Sequence, residues 1–275
     1  MSLNNNYTEL KNICKQIRKD IITMIYHAGS GHPGGSLSLV EIMVALYFGG
    51  ILNYKPDKPD WSDRDRLVLS KGHAAPVLYA VLAKAGYFPQ EDLNSLRKID
   101  SYLQGHPHNL STPGVEVPTG SLGQGLSIAH GIALGLRVLK NKARVFAIVG
   151  DGELEEGSIW ETAMSAGYYR SGNLTAIIDY NHLQIDGNLN EVKSPEPITD
   201  KFAAFNWQVV EVDGHDLPQL LDELSKPINH DQKPKAIIAH TVKGKGISFM
   251  ENVVDWHGVA PNQEQYQKAM EELNG

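Results

Sequence analysis

VFAIVGDGELEEG (residues 145–157) and LTAIIDYNHLQIDG (residues 174–187) decide the fold between them. Each opens as an apolar run of strand length and stops at a polar turn, the first at Asp151 and the second at Asn181. A strand buried on one face alternates apolar and polar residues. A strand buried on both faces reads as an unbroken apolar run, the pattern of a parallel sheet covered by helices. RLVLS (66–70), WQVVEVDG (207–214) and PKAIIAHTV (234–242) read as further strands.

Helical patterns fill the spaces between them. Leu10, Ile13, Ile17, Ile21, Met24 and Ile25 recur at helical spacing from Thr8 onward, and Gly29 and Gly31 stop the run. SLSLVEIMVALYF (36–48) predicts a second helix, with Ser38 and Glu41 at capping-box spacing. More helices are expected around 75–85, over 123–140 despite four glycines, over 156–170, in DLPQLLDELSK (216–226) and over 263–273. Segments 186–200 and 243–262 are long and irregular, as functional loops often are. The pattern predicts an α/β fold, a doubly wound and mostly parallel sheet with helices on both faces and right-handed crossovers. No repeat, low-complexity tract or linker interrupts residues 1–275, which read as a single domain.

Composition narrows the function classes. Thirty-two acidic residues against 25 basic ones give a net charge of −7, and no basic run stands out, so neither nucleic acid nor a membrane surface is the expected partner. Cys14 is the one cysteine, which rules out a disulfide framework within the chain and fits a reducing compartment. Beside Ile13 and Ile17 it reads as a buried structural thiol. The N-terminus is polar, without the apolar stretch of a signal peptide, and no apolar run approaches the ~20 residues of a membrane span. A cytoplasmic location is expected.

In open α/β sheets, ligands sit beyond the carboxyl ends of the strands, where Asp151 and Asn181 fall. Both offer hard oxygens suited to magnesium or calcium, and magnesium prefers one or two side chains supplemented by phosphate and water. Gly152 would let the backbone approach such a phosphate. A helix cap and a turn would call for the same two residues, so the pair alone leaves both readings open.

Five segments in order extend the pattern. GDGELEEG followed by IIDYNHLQIDG resembles the thiamine diphosphate motif of the transketolase family, which runs from Gly-Asp-Gly to an Asn about thirty residues on. AGSGHPGGSLS (28–38), DRLVLSKGHAAPVLYAVLAKAGY (65–87), GHPHNLSTPGVEVPTGSLGQGLSIAHGIALG (105–135) and HTVKGKGISFMENVVDWHG (240–258) also resemble transketolase. The resemblance spans about residues 10 to 260 and implies the diphosphate-binding domain of the thiamine diphosphate fold.

By that resemblance, Asp151, Asn181 and the carbonyl of Leu183 are expected to hold magnesium, with calcium as a substitute. Gly152 and His73 would meet the diphosphate. Gly35, Gly120, Ser121 and Leu122 would line the coenzyme, although the family often carries proline at the position of Ser121. His32, His73, His106 and His257 match the family's active-site histidines, Lys243 a coenzyme-proximal lysine, and Glu156 a glutamate near the subunit contact. Taken alone, several read otherwise: His106 and His108 as surface residues, His257 as a packing partner of Trp256, Lys243 and Lys245 as solvated charges. His130 and His240 read as structural.

The implied activity is transfer of a two-carbon ketol unit from a ketose phosphate such as xylulose 5-phosphate to an aldose phosphate such as ribose 5-phosphate, a pentose phosphate pathway reaction. The family's pyrimidine-binding and C-terminal domains have no counterpart here. The expectation is therefore the N-terminal subunit of a split transketolase, active only with a C-terminal subunit, the two forming a heterotetramer. The alternatives are a related enzyme using another sugar, a zinc-type hydrolase for which no ligand motif is present, and a non-catalytic binding regulator.

Overall fold

The computed structural model describes residues 3–227 and 232–275. In chain order it runs α1 (Leu3–Ala28), α2 (Pro33–Leu37), α3 (Val40–Phe48), β1 (Arg66–Leu69), α4 (Ala75–Ala85), α5 (Gln124–Val138), β2 (Val145–Gly150), α6 (Gly157–Tyr168) and β3 (Leu174–Tyr180). It continues with α7 (Leu189–Val192), α8 (Ile198–Ala204), β4 (Gln208–Asp213), α9 (Leu217–Ser225), β5 (Lys235–His240) and α10 (Gln263–Glu272). The strands form one sheet in the order β1-β2-β3-β5-β4, and every neighbouring pair is parallel.

The apolar runs are continuous because both faces of the sheet are covered. Phe146 and Ile148 of β2 join Ile177 of β3 and Ile237 of β5 in a core shared with α1, α3, α4 and α9. Val145, Ala147 and Val149 point the other way, into a core with α5, α6 and α8. This is the two-residue side-chain period of a strand, with each face finding its own apolar layer. Edge strand β4 is less enclosed, and among its residues only Val212 is buried.

Cys14 lies within the first core, 4% exposed, and burial followed by the nearby Glu41 charge pushes its thiol up to about 12. It fits the inert structural thiol expected of it. Gly125, in the first turn of α5, lets that helix close onto β1, since a Cβ there would lie 2.5 Å from the Cα of Ser70. Gly125→Ala is expected to lower stability by about 1–3 kcal/mol, the cost of overpacking a close contact. A thermal melt coinciding with that of the parent chain would refute this.

One local expectation is corrected. Ser38 and Glu41 do not form a capping box. The segment splits into α2 and α3, and Leu39 precedes α3 without a side-chain cap. The Ser38 hydroxyl instead donates to the Asp179 carboxylate at 2.7 Å and to the Gly35 carbonyl at 3.2 Å, while Glu41 pairs with Arg18 and His215. A capping box does form at α10, between Asn262 and Gln265. The segments expected to be irregular contain α7, the start of α8 and a 3-10 turn over Val254–His257. Among the described residues, no helix is long and apolar enough to cross a membrane.

Candidate active site

The carboxyl ends of β1, β2, β3 and β5 meet around one cleft of about 270 Å³. Past β2, Asp151 turns its carboxylate back toward β3. One oxygen accepts the N–H of Gly152 at 2.8 Å, and the other accepts those of Asn181 at 2.8 Å and His182 at 2.6 Å. This bracing follows from the register, which sets Gly150 beside Asp179 and leaves Asp151 and Asn181 just past the ends of adjacent strands. His182 takes a left-handed conformation (φ 64°), and the Leu183 N–H closes the turn onto the Asn181 side-chain oxygen at 3.2 Å.

Asp151 is 3% exposed and forms no ion pair among the described residues. Burial, reinforced by the Asp179 charge, pushes its pKa up to about 6. A bound divalent cation would remove that penalty. Asp151, Asn181 and Leu183 all line the cleft and offer a carboxylate, an amide oxygen and a backbone carbonyl, a set of hard oxygens that fits magnesium or calcium.

Beneath this turn, Lys71 pairs with Asp179 in the interior. Burial opposes the Asp179 charge, yet Lys71, Thr241 and Ser38 hold its pKa below the ordinary carboxylate value. Sequence reasoning missed this pair. The signal was present, since Asp179 interrupts an apolar strand and a buried charge requires a partner. Glu153 was missed too. Its carboxylate accepts from the Ser70 hydroxyl and from the N–H groups of Gly123 (2.8 Å) and Gly150 (3.0 Å), tying the start of α5 to the ends of β1 and β2. Gln184 and Ile185 also line the cleft.

His32, His73 and His257 form a triangle with ring centroids 5.3 to 5.6 Å apart. Trp256 packs on Phe249 instead, which leaves His257 facing the other imidazoles. Lys243 is 1% exposed and contrasts with Lys245, which pairs with Glu251 near the surface. The Lys243 ammonium donates to the Leu183 carbonyl at 3.1 Å and to Nδ1 of His257 at 2.8 Å. Burial and then the Lys71 charge lower its pKa to about 8.

Burial, followed by nearby cations, lowers His32 to about 4 and His257 to about 3, and takes His73 well below its ordinary value. At neutral pH all three are therefore neutral, each with one N–H donor and one lone pair. His106 sits at the mouth beside Gly120.

Gly35, Gly120, Leu122 and Gly152 also line the cleft, whereas Ser121 and Glu156 are exposed and do not. Glu156 packs against the turn at Gly123. His108 bonds Ser111 outside the cleft, His130 bonds Ser171, and His240 pairs with Glu211.

Neutral burial of these imidazoles has a signed consequence. An unfolded histidine takes up a proton near 6.5, whereas the folded ones resist until lower pH, so the unfolded chain binds more protons in between. Their contribution to stability falls as pH drops from about 7 to 5. Asp151 acts with the opposite sign, so the comparison is made between variants. His257→Asn is expected to flatten the slope of Tm against pH over that range, and an unchanged slope would contradict neutral burial of His257.

The chain belongs to the transketolase family: the family model described as "Transketolase, thiamine diphosphate binding domain" matches residues 10–274. It is 41% identical over 257 residues to an apulose-4-phosphate transketolase subunit of Phocaeicola vulgatus, covering 94% of this chain and 91% of that one. It is 42% identical over 265 residues to the 6-deoxy-6-sulfo-D-fructose transketolase subunit SqwG of a Clostridium species, covering 96% of each. The fold matches a transketolase from Leishmania mexicana with a TM-score of 0.89 and 31% identity, over 96% of this chain but only 41% of the other. The parallel sheet with its helices is thus the thiamine diphosphate-binding fold of transketolase N-terminal domains.

Proposed function

We propose that residues 1–275 form one diphosphate-binding unit, the N-terminal subunit of a thiamine diphosphate- and magnesium-dependent ketol transferase of the cytoplasm. The observation that carries this reading is the delivery of Asp151 and Asn181 by adjacent strands into one cleft, together with Leu183, Lys243 and three neutral histidines. Asp151, Asn181 and the Leu183 carbonyl would hold the metal. Gly152, whose N–H is held by the Asp151 carboxylate, would let the backbone approach the diphosphate beside His73 and Lys243, and Gly35, Gly120 and Leu122 would face the rings. Ser121 and Glu156 belong at the margin, toward a second subunit.

When bound, thiamine diphosphate supplies the electron sink for cleaving a carbon–carbon bond next to a carbonyl. This chain's residues would bind and orient. His32, His73 and His257 would be neutral at working pH: the Nδ1 lone pairs of His32 and His257 accept from Arg97 and Lys243, so their Nε2–H groups would donate to sugar hydroxyls, while His73 would exchange a proton through one N–H and one lone pair. His106 would meet the sugar at the mouth. The buried Lys71–Asp179 pair would fix the floor.

The partner would be a C-terminal subunit bringing the pyrimidine-binding and C-terminal domains, two copies of each making a heterotetramer. Two similar relatives carry the names of different sugars, which favours a ketose other than xylulose 5-phosphate as donor. The test is a donor panel with the assembled complex: xylulose 5-phosphate, apulose 4-phosphate and 6-deoxy-6-sulfofructose, each with and without coenzyme and magnesium. One donor should stand at least about tenfold above the others in kcat/KM. A complex that binds coenzyme yet transfers from none would overturn the reading and favour a binding regulator.

A further inference from the structure

Outside the cleft, three charged or titratable side chains from separate elements meet in the interior. Arg18 of α1 and Glu41 of α3 form an ion pair at 2.8 Å, and both are under a tenth exposed. His215, in the turn between β4 and α9, contacts the same carboxylate through Nδ1 at 2.9 Å. Its other ring nitrogen, Nε2, lies 2.8 Å from the backbone nitrogen of Val242. A backbone N–H can only donate, so Nε2 carries the lone pair, and Nδ1 carries the proton given to Glu41. Glu41 thereby selects the tautomer that can grip Val242.

Arg18 grips the same segment from the other side. Its Nε donates to the Lys245 carbonyl at 2.9 Å. That approach needs Gly246, whose missing side chain would stand 2.6 Å from the Arg18 Nε. Between the two grips lies Lys243, and the N–H of Gly244 donates to the Gly34 carbonyl at 3.0 Å. Segment 242–245 is therefore fixed on both sides of the lysine whose ammonium enters the cleft, and Glu41 joins the two fixings.

The geometry points to His215 as a positioning residue: with Glu41 and Arg18 it clamps segment 242–245 so that Lys243 stands at the Leu183 carbonyl, ready for an anionic ligand. The clamp itself rests on contacts within this chain. Its link to coenzyme rests on the proposed function above.

The test uses two variants that separate the ring's two bonds. An asparagine at this position keeps a donor near that of Nδ1 and loses the acceptor for Val242. A glutamine places an acceptor near that of Nε2. In the isolated chain, His215→Asn is expected to speed hydrogen exchange in the peptide containing residues 241–246 by about tenfold, the loss of one hydrogen bond. His215→Gln is expected to stay near the parent rate. In the assembled complex, His215→Asn should raise the half-saturating concentration of thiamine diphosphate about tenfold, with His215→Gln restoring most of it. Equal exchange in His215→Asn and the parent, or equal acceleration in both variants, would overturn the clamp. Exchange as expected with unchanged coenzyme half-saturation would overturn the link to Lys243. A parent complex that does not respond to thiamine diphosphate would instead refute the proposed function, and the exchange result would still decide the clamp.

Discussion

Asp151→Ala is expected to weaken magnesium-dependent binding of thiamine diphosphate by the assembled complex at least a hundredfold, with the chain still folded. Removing a supporting residue around a metal typically costs 10–100-fold in affinity, and a charged ligand should cost no less. Asp151 is the one full negative charge in the expected donor set, and it lies buried without an ion pair among the described residues. It also accepts three backbone N–H groups, so alanine leaves donors unpaired as well. Asp151→Asn separates these effects, because it retains an oxygen at the site and removes the charge. Calorimetric titration of coenzyme with and without chelator should give parallel losses in both variants. Parent affinity in Asp151→Asn would remove the metal assignment.

His73→Ala is expected to lower kcat of the assembled complex about a hundredfold, within the range of a positioned acid–base group. The ring faces the cleft between His32 and His257, and burial with the Lys71 charge keeps it neutral. An atom at the Cβ position of Gly35 would lie 3.6 Å from its Nε2, so the ring stands over the bare backbone of α2 at that glycine. A fall in kcat larger than the change in coenzyme affinity would mark a role in proton exchange. A change in coenzyme affinity alone would restrict His73 to binding, and unchanged kinetics would remove it from the site.

The sheet was legible because its central strands are covered on both faces, so burial wrote itself into the sequence as unbroken apolar runs. Edge strand β4 is less enclosed, and its pattern is correspondingly mixed. The second helix broke where a local rule met a tertiary demand. Ser38 satisfies Asp179, a charge 141 residues away, and so does not cap α3. The positions of Asp151 and Asn181 past the strand ends were legible from topology, since strand ends aim side chains at one edge of the sheet, while their role was not, because a cap and a turn call for the same residues. Lys243 was not. Its composition and neighbours suggest solvent, and only the resemblance placed it inside, because the loop that buries it is folded by contacts from α1, α2 and the turn before α9. Ser121 and Glu156 were carried by resemblance alone and lie at the surface.

The most direct test is ketol transfer by this chain alone, by the proposed C-terminal subunit alone and by the two mixed, each with thiamine diphosphate, magnesium and the preferred donor. The expected result is activity in the mixture only, lost on chelation and restored by magnesium. Turnover by the lone chain, or activity in the mixture that survives removal of coenzyme and metal, would contradict the account.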